Sequence, residues 1–420
     1  MLQKIFPVER DELKPVVIAT AYGFCILLSY YVLRAVRDEI SAADRGNLQI
    51  LWTAVFFTML VAVPAYSALV ARFSRSVFIP MANRFFALNL LMFFAALELL
   101  PLDARPWIDR VFYVWSSVFA LFVVTVFWGF VADLFRNTQG RRLFGIIAVG
   151  SSLGGIVGSL VTALLADDIP TFGLLLIATI PLEIAARLAT MLHHEASSGE
   201  ALRKEPDAKI MGTAFSGIGV VFRSPYLRKI ALYLAFMTFA STVLYFQAAD
   251  LIGEAFTDRG LRTEFFAKVD LATNSITIFM QLFLAAHFIR KFGVALTLAT
   301  LPALTVIGFL GLGVYPLLAV LVAFQVLYRA TRYGLAKPSR ELLYTVVGRE
   351  ERYKSKAFID AAVYRGGDLV SGWIYAGLAY VGLSLGAIAL VAVPVAAVWV
   401  GIGLALGKHQ EELATAETAE

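Results

Sequence analysis

Cysteine is almost missing from this chain of 420 residues: Cys25 stands alone, so no intrachain disulfide and no thiolate metal site can form. Cys25 lies inside an apolar run and reads as a small buried hydrophobe. Histidine is nearly as scarce, with four residues in all. The only adjacent pair, His193 and His194, opens a polar stretch where solvent, not a metal, is the natural partner. No Ser-His-Asp set, His-x-x-x-His spacing or phosphate-binding glycine loop occurs in a soluble context. Catalysis therefore lacks a candidate centre, and the sequence predicts no enzyme, no metal and no cofactor. Charge is sparse too: 16% of residues are charged against 59% hydrophobic, with a mean hydropathy of +0.76. Globular domains carry roughly half apolar residues. A soluble fold is excluded, and no sizeable soluble domain is left over.

What the chain has in abundance is apolar runs long enough to cross a hydrocarbon core of about 30 Å. Twelve candidate spans follow, at 15–36, 48–71, 77–100, 108–135, 142–166, 171–192, 228–253, 265–290, 294–313, 316–347, 355–381 and 384–406. The first lacks an Ala-x-Ala cleavage site and continues into Arg-Ala-Val-Arg-Asp-Glu, so it reads as a retained span and not a signal peptide. Placing both termini in the cytoplasm puts roughly twenty Lys and Arg on inner connections against about five outside. The net charge of +5 is explained by this orientation and does not call for nucleic acid.

The polar stretch 193–227 divides the spans six and six. It predicts an N-terminal half at 1–192, a cytoplasmic linker at 193–227, a C-terminal half at 228–407 and a polar tail at 408–420. Within the linker, 212–223 has the pattern of an amphipathic helix lying at the headgroups. The halves also resemble each other in the same direction. The segment from Arg142 to Gly158 aligns without a gap with that from Lys356 to Gly372, Gly129–Asp133 with Gly334–Lys337, and Tyr30-Tyr31 with Tyr245-Phe246. Such a parallel duplication predicts a major-facilitator-like, all-α membrane fold with substrate held near mid-membrane between two six-helix halves. Gly150, Gly154, Gly155 and Gly158 recur at small-x-x-x-small spacing, which lets helix backbones approach closely. A dinucleotide fingerprint is the alternative there, but no strand precedes it.

Charges inside the spans carry the functional reading. Arg329 and Arg332 fall three apart near the middle of the tenth span, hence on one helix face. A cation at that depth costs about 2.5–3.5 kcal/mol and normally faces a wet path for solute or ions. Arg34, Arg84, Asp133, Glu183, Arg187, Asp250, Asp270, Lys337, Arg365 and Asp368 extend the pattern to a polar interior. Arg329, Arg332 and Arg365 sit closest to mid-span, and guanidinium forks suit phosphate or carboxylate oxygens. Two readings stand: an anionic substrate, or an ion-pair network with Asp368, Asp360 or Glu341. Arg34 is a cavity candidate, whereas Asp38 and Glu39 read as ordinary outer-surface carboxylates. Asp133 and Arg136, with Lys337, Arg340 and Glu341, occupy equivalent inner ends and suit a gate or headgroup-level charge. Asp250, Asp270 and Asn274 are candidates for a coupling proton or cation. Glu183 and Arg187, four apart, suit a structural pair.

Three segments, Phe24–Glu39, Val126–Asp133 and Leu335–Tyr344 followed by Lys354–Asp360, resemble the bacterial and plastid ATP/ADP translocase family and its major-facilitator-like bacterial relatives. The resemblance implies a nucleotide exchanger and places the family's basic residue after its first-span Leu-Arg pair on Arg37. It likewise places the family's tenth-span basic-acidic pair on Arg340-Glu341, and its eleventh-span Lys and Asp on Lys356 and Asp360. Two positions depart: a family carboxylate falls on Ser116 and a family lysine on Asp368, which changes the cavity's charge. The expectation is a transporter in a bacterial inner membrane, monomeric, moving an anionic solute by alternating access, with ATP/ADP exchange favoured. The substrate set is Arg34, Arg37, Arg329, Arg332, Arg365 and Asp368. The alternatives are transport of another organic anion and a non-transporting scaffold or sensor.

Overall fold

In hydrocarbon every backbone N–H and C=O must be paired within the protein, and helices do this segment by segment. The computed structural model describes residues 8–9, 12–135, 137–198 and 217–419, and among them it is helical without strands. Arg136 and 199–216, including the first part of the expected interfacial helix, lie outside the described residues. The first sequence half forms α1 (Leu13–Ala43), α2 (Leu48–Arg72), α3 (Arg75–Leu99), α4 (Arg105–Leu134), α5 (Asn137–Leu165) and α6 (Thr171–Ser198). A short α7 (Gly217–Arg223) precedes α8 (Pro225–Ala255), α9 (Arg259–Phe279), α10 (Ala285–Val314), α11 (Leu318–Thr331) and α12 (Lys337–Leu342). Then follow α13 (Arg349–Phe358), α14 (Tyr364–Tyr380) and α15 (Leu385–Ala419).

Nine described helical runs are long and apolar enough to cross a membrane. One of them, Arg259–Val314, has 56 residues, about 80 Å of helix and far more than one bilayer core. Gly293 breaks it with a φ of 74°, a left-handed conformation that only glycine adopts at no steric cost. Three π-helical turns interrupt the C-terminal helices, at Met280–Leu284, Arg332–Ala336 and Ile359–Val363. Each π turn is closed by a backbone bond spanning five residues: Ala285 N–H to Met280 O, Lys337 N–H to Arg332 O, and Tyr364 N–H to Ile359 O.

The chain divides into two compact units. Unit 1 comprises Met1–Asp44, Phe57–Asp207 and Phe256–Asn274; unit 2 comprises Arg45–Phe56, Ala208–Ala255 and Ser275–Glu420. Each unit therefore includes a helical segment from the other half of the sequence. In unit 1, α1 packs on α5 and α3 on α6; in unit 2, α8 packs on α14 and α10 on α15. The glycine spacing acts as expected in unit 1. A Cβ at Gly154 would lie 2.1 Å from Phe24 O and one at Gly158 2.5 Å from Leu28 O, so α5 meets α1 backbone to backbone.

Candidate functional site

In unit 2 a cavity of about 170 Å³ is lined by Tyr233 and Met237 of α8, by Arg332, Tyr333 and Ala336 of the second π turn, by Lys337 and Arg340 of α12, and by Tyr364 of α14. In a regular helix five residues turn through about 500°, which would leave Lys337 about 140° away from Arg332. The π turn accommodates the extra residue and closes Lys337 directly over Arg332. Three cations from one helical run thereby line one cavity. Gln281, in the neighbouring π turn, donates from Nε2 to Tyr333 O at 3.2 Å and braces the irregular backbone.

The partners of these cations decide the chemistry. Arg332 donates from Nη2 to the Tyr364 hydroxyl and lies 5.5 Å and 5.6 Å from the ring centroids of Tyr364 and Tyr333. Arg340 stands 3.8 Å from Glu341 Oε1 and 4.0 Å from Asp360 Oδ1, the outer limit of an ion pair, and its Nε is buried without a hydrogen bond. Glu341 is held more closely by Lys356, at 2.5 Å. Lys337 makes no ion pair among the described residues. The tyrosine scaffold is anchored to backbone: Tyr233 Oη donates to Leu298 O at 2.9 Å, and Tyr328 Oη to Met237 O at 3.1 Å. The result is an aromatic-walled cavity whose positive charge is only weakly matched by carboxylates, an arrangement that suits a polyanion.

Of the expected substrate residues, Arg332 alone lines this cavity. Arg329 is buried beside it in sequence without forming the wall, and Arg365 makes no hydrogen bond or ion pair among the described residues. Asp368 acts electrostatically on Arg332. Lys337 and Arg340, gate candidates in the sequence, also line this cavity. Tyr364, Tyr233, Tyr333 and Gln281 escaped the sequence reading. The one signal for Tyr364 was the internal alignment, where it replaces Gly150, so the second half carries a phenol where the first carries a backbone contact.

Unit 1 places Arg34 and Arg37 differently. Arg34 Nε lies 3.3 Å from Asp270 Oδ2 and 3.4 Å from Asp38 Oδ2, and Arg37 sits over the Tyr113 ring at 5.0 Å. Asn274 is beside Gly155, its Nδ2 buried without a hydrogen bond. Asp38 and Glu39 are not surface carboxylates: they are 4% and 1% exposed. Glu39 receives Arg262 at 2.7 Å and Arg259 at 3.0 Å, while Arg259 also donates to Asp109 at 2.8 Å. The burial of Glu39 was illegible because its arginines lie more than two hundred residues away. Asp250, in unit 2, accepts from Tyr375 Oη at 2.7 Å. Ser116, where the family carboxylate was expected, donates to Tyr113 O of its own helix. Arg84, Glu183 and Arg187, expected in a polar interior, are exposed. Asp133 is half-buried near the end of α4, and its expected companion Arg136 is outside the described residues.

Long apolar helical runs among the described residues give the chain the architecture of a multi-span membrane protein. The fold agrees: the POT family transporter PepTSo superposes with a TM-score of 0.62 at 12% identity, covering 97% of this chain and 99% of that one. The nucleoside transporter NupG gives 0.56 at 13% identity, covering 96% and 99%. The family model of the TLC ATP/ADP transporters matches residues 169–409, more than half of the chain. The chain belongs to that transporter family. It is similar to the ADP,ATP carrier protein 1 of Chlamydia trachomatis, 24% identical over 87% of this chain and 83% of that protein. The ADP,ATP carrier protein 2, chloroplastic, of Arabidopsis thaliana is 22% identical over 85% of this chain and 68% of that protein.

Proposed function

We propose that the chain exchanges adenine nucleotides across a bacterial inner membrane by alternating access, and that Arg332, Lys337 and Arg340 hold the phosphate chain. One observation carries this reading: the π turn and the helix after it bring three cations to one cavity, where Arg332 is hydrogen-bonded to a phenol and Arg340 meets carboxylates only at 3.8–4.0 Å. Phosphate oxygens supply the acceptors that the guanidinium forks lack. The names of the family and of the carriers it resembles support ATP and ADP as the solutes.

Twelve spans fit the helices. Dividing the 56-residue run at Gly293, and adding the two π-interrupted runs Leu318–Leu342 and Arg349–Tyr380, brings the nine apolar runs to twelve. The equivalent pairing of α1 with α5 and α8 with α14 supports the duplication and the two halves read from sequence. Lysine and arginine bias favours cytoplasmic termini, and a monomer is the working unit. Arg34 and Arg37, within unit 1, stand as separate candidates for solute contact, and Asp250, Asp270 and Asn274 as candidates for a coupling ion.

Uptake of labelled ATP into proteoliposomes preloaded with ADP, compared with empty vesicles, tests the proposal. Preload-dependent uptake lost in Arg332→Gln is the expected result; uptake of neither nucleotide rejects it. The departures at Ser116 and Asp368 favour one second reading, exchange of a different organic anion, which the same vesicles would reveal through competition.

A further inference from the structure

Arg84, Glu183 and Arg187 stand outside the cavity and outside every ion-pair cluster described above. They lie on α3 and α6, which pack against each other in unit 1, with side chains 56%, 38% and 72% exposed. The face they share is mainly apolar, with exposed Thr190 and His194 toward the end of α6. On α6, exposed Ile180, Ile184 and Met191 recur with Arg187 at helical spacing, and on α3 exposed Met81, Phe85 and Leu88 flank Arg84. Such a stripe on a membrane span faces hydrocarbon. From the ends of the apolar spans at 77 and 192, Arg84 is seven residues deep and Arg187 five, about 8–11 Å of helix. Both guanidinium groups are thus below the helix ends, within the reach by which long side chains snorkel toward headgroups.

The charges of this cluster do not close. Arg84 engages both oxygens of Glu183, Nε to Oε2 at 3.0 Å and Nη2 to Oε1 at 3.2 Å. Arg187 adds Nε to Oε1 at 3.0 Å, and its Nη groups have no acceptor among the described residues. One carboxylate thus faces two guanidinium groups, leaving a net positive charge, and the four Nη N–H donors of Arg187 have no acceptor among the described residues. At a water-exposed surface this would be unremarkable; on an apolar face it is costly unless an anion covers it. A second copy of the chain fits poorly, since a two-fold contact at this patch would set two positive clusters against each other. An anionic phospholipid fits: its phosphate matches the guanidinium fork, and its acyl chains lie on the flanking Ile, Phe and Met side chains.

We propose that Arg84, Glu183 and Arg187 form a binding site for the headgroup phosphate of an anionic phospholipid on the α3–α6 face. The site is independent of which solute the protein carries. Glu183 orients Arg187 through Nε and leaves its outer edge to the lipid.

The test uses the full chain in phosphatidylcholine nanodiscs, titrated with phosphatidylglycerol and followed by thermal unfolding and by native mass spectrometry of retained lipid. Phosphatidylglycerol should raise the unfolding midpoint of the wild type. The mole fraction for half the effect should rise about fivefold in Arg187→Gln, as for loss of one charge-assisted contact worth about a factor of five. This variant keeps the Arg84–Glu183 pair, so it should fold. Arg187→Lys should recover most of the response. An equal phosphatidylglycerol response in wild type and Arg187→Gln would overturn the site. So would a dimer that the Arg187→Gln change dissolves, because a second copy would then be the occupant.

Discussion

In unit 1 the buried carboxylate Glu39 is met by two arginines, Arg259 and Arg262, and Arg259 is shared onward with Asp109. In unit 2 the comparable guanidinium, Arg332, meets a phenol hydroxyl, and Arg340 stands 3.8–4.0 Å from its carboxylates. Both regions contain arginines within membrane spans, so residue type alone does not separate scaffold from site. The nature and closeness of the partner does. A guanidinium matched by a buried carboxylate has spent its charge on holding helices together, and removing one member leaves the other uncompensated. A guanidinium held by a neutral hydroxyl is oriented without being neutralised, which leaves its charge for a ligand.

Four substitutions would break or sharpen that contrast. The largest effect is expected for Glu39→Gln, which strands Arg262 and leaves Arg259 with Asp109 alone. Loss of a buried pair costs about 3 kcal/mol, so the unfolding midpoint should fall while the KM of the surviving transporter stays put; a lowered KM with unchanged stability would make Glu39 part of the substrate path. Arg332→Gln should do the opposite. Its removal deletes a charge-assisted contact worth about 1.5–3 kcal/mol, reducing exchange about tenfold to a hundredfold in the proteoliposome assay with the midpoint little changed. Gly154→Ala pushes a methyl group into the Phe24 carbonyl, which should destabilise unit 1 by about 1–3 kcal/mol, read as lost thermal stability with no shift in KM. Smallest is Asp360→Asn. Because Asp360 competes for Arg340 only at 4.0 Å, its removal should lower the KM for nucleotide by no more than about fivefold. Slower turnover should accompany it, and a raised KM would mean that Asp360 assists binding.

Much of the fold was legible because hydrocarbon imposes a simple rule on sequence: apolar runs of sufficient length, with charge bias between them. The α1–α5 contact was legible too, since Gly154 and Gly158 recur at the spacing that backbone contact requires. The site was only partly so. Arg332 announced itself as a cation deep in an apolar run, but a regular 3.6-residue helix assigns Lys337 to a different face, and the π turn that reunites them is set by packing against Gln281 and Met280.

Sequence by itself determined that this is a membrane protein of helical spans with arginines too deep to be incidental, because burial of apolar side chains and the cost of buried charge are local properties that each segment carries. Tertiary structure alone decided what each charge is for. Whether an arginine faces Glu39 from a distant helix, the hydroxyl of Tyr364 or Glu183 on an exposed helix face depends on which helices are brought side by side, and an ion pair has meaning only through its partner.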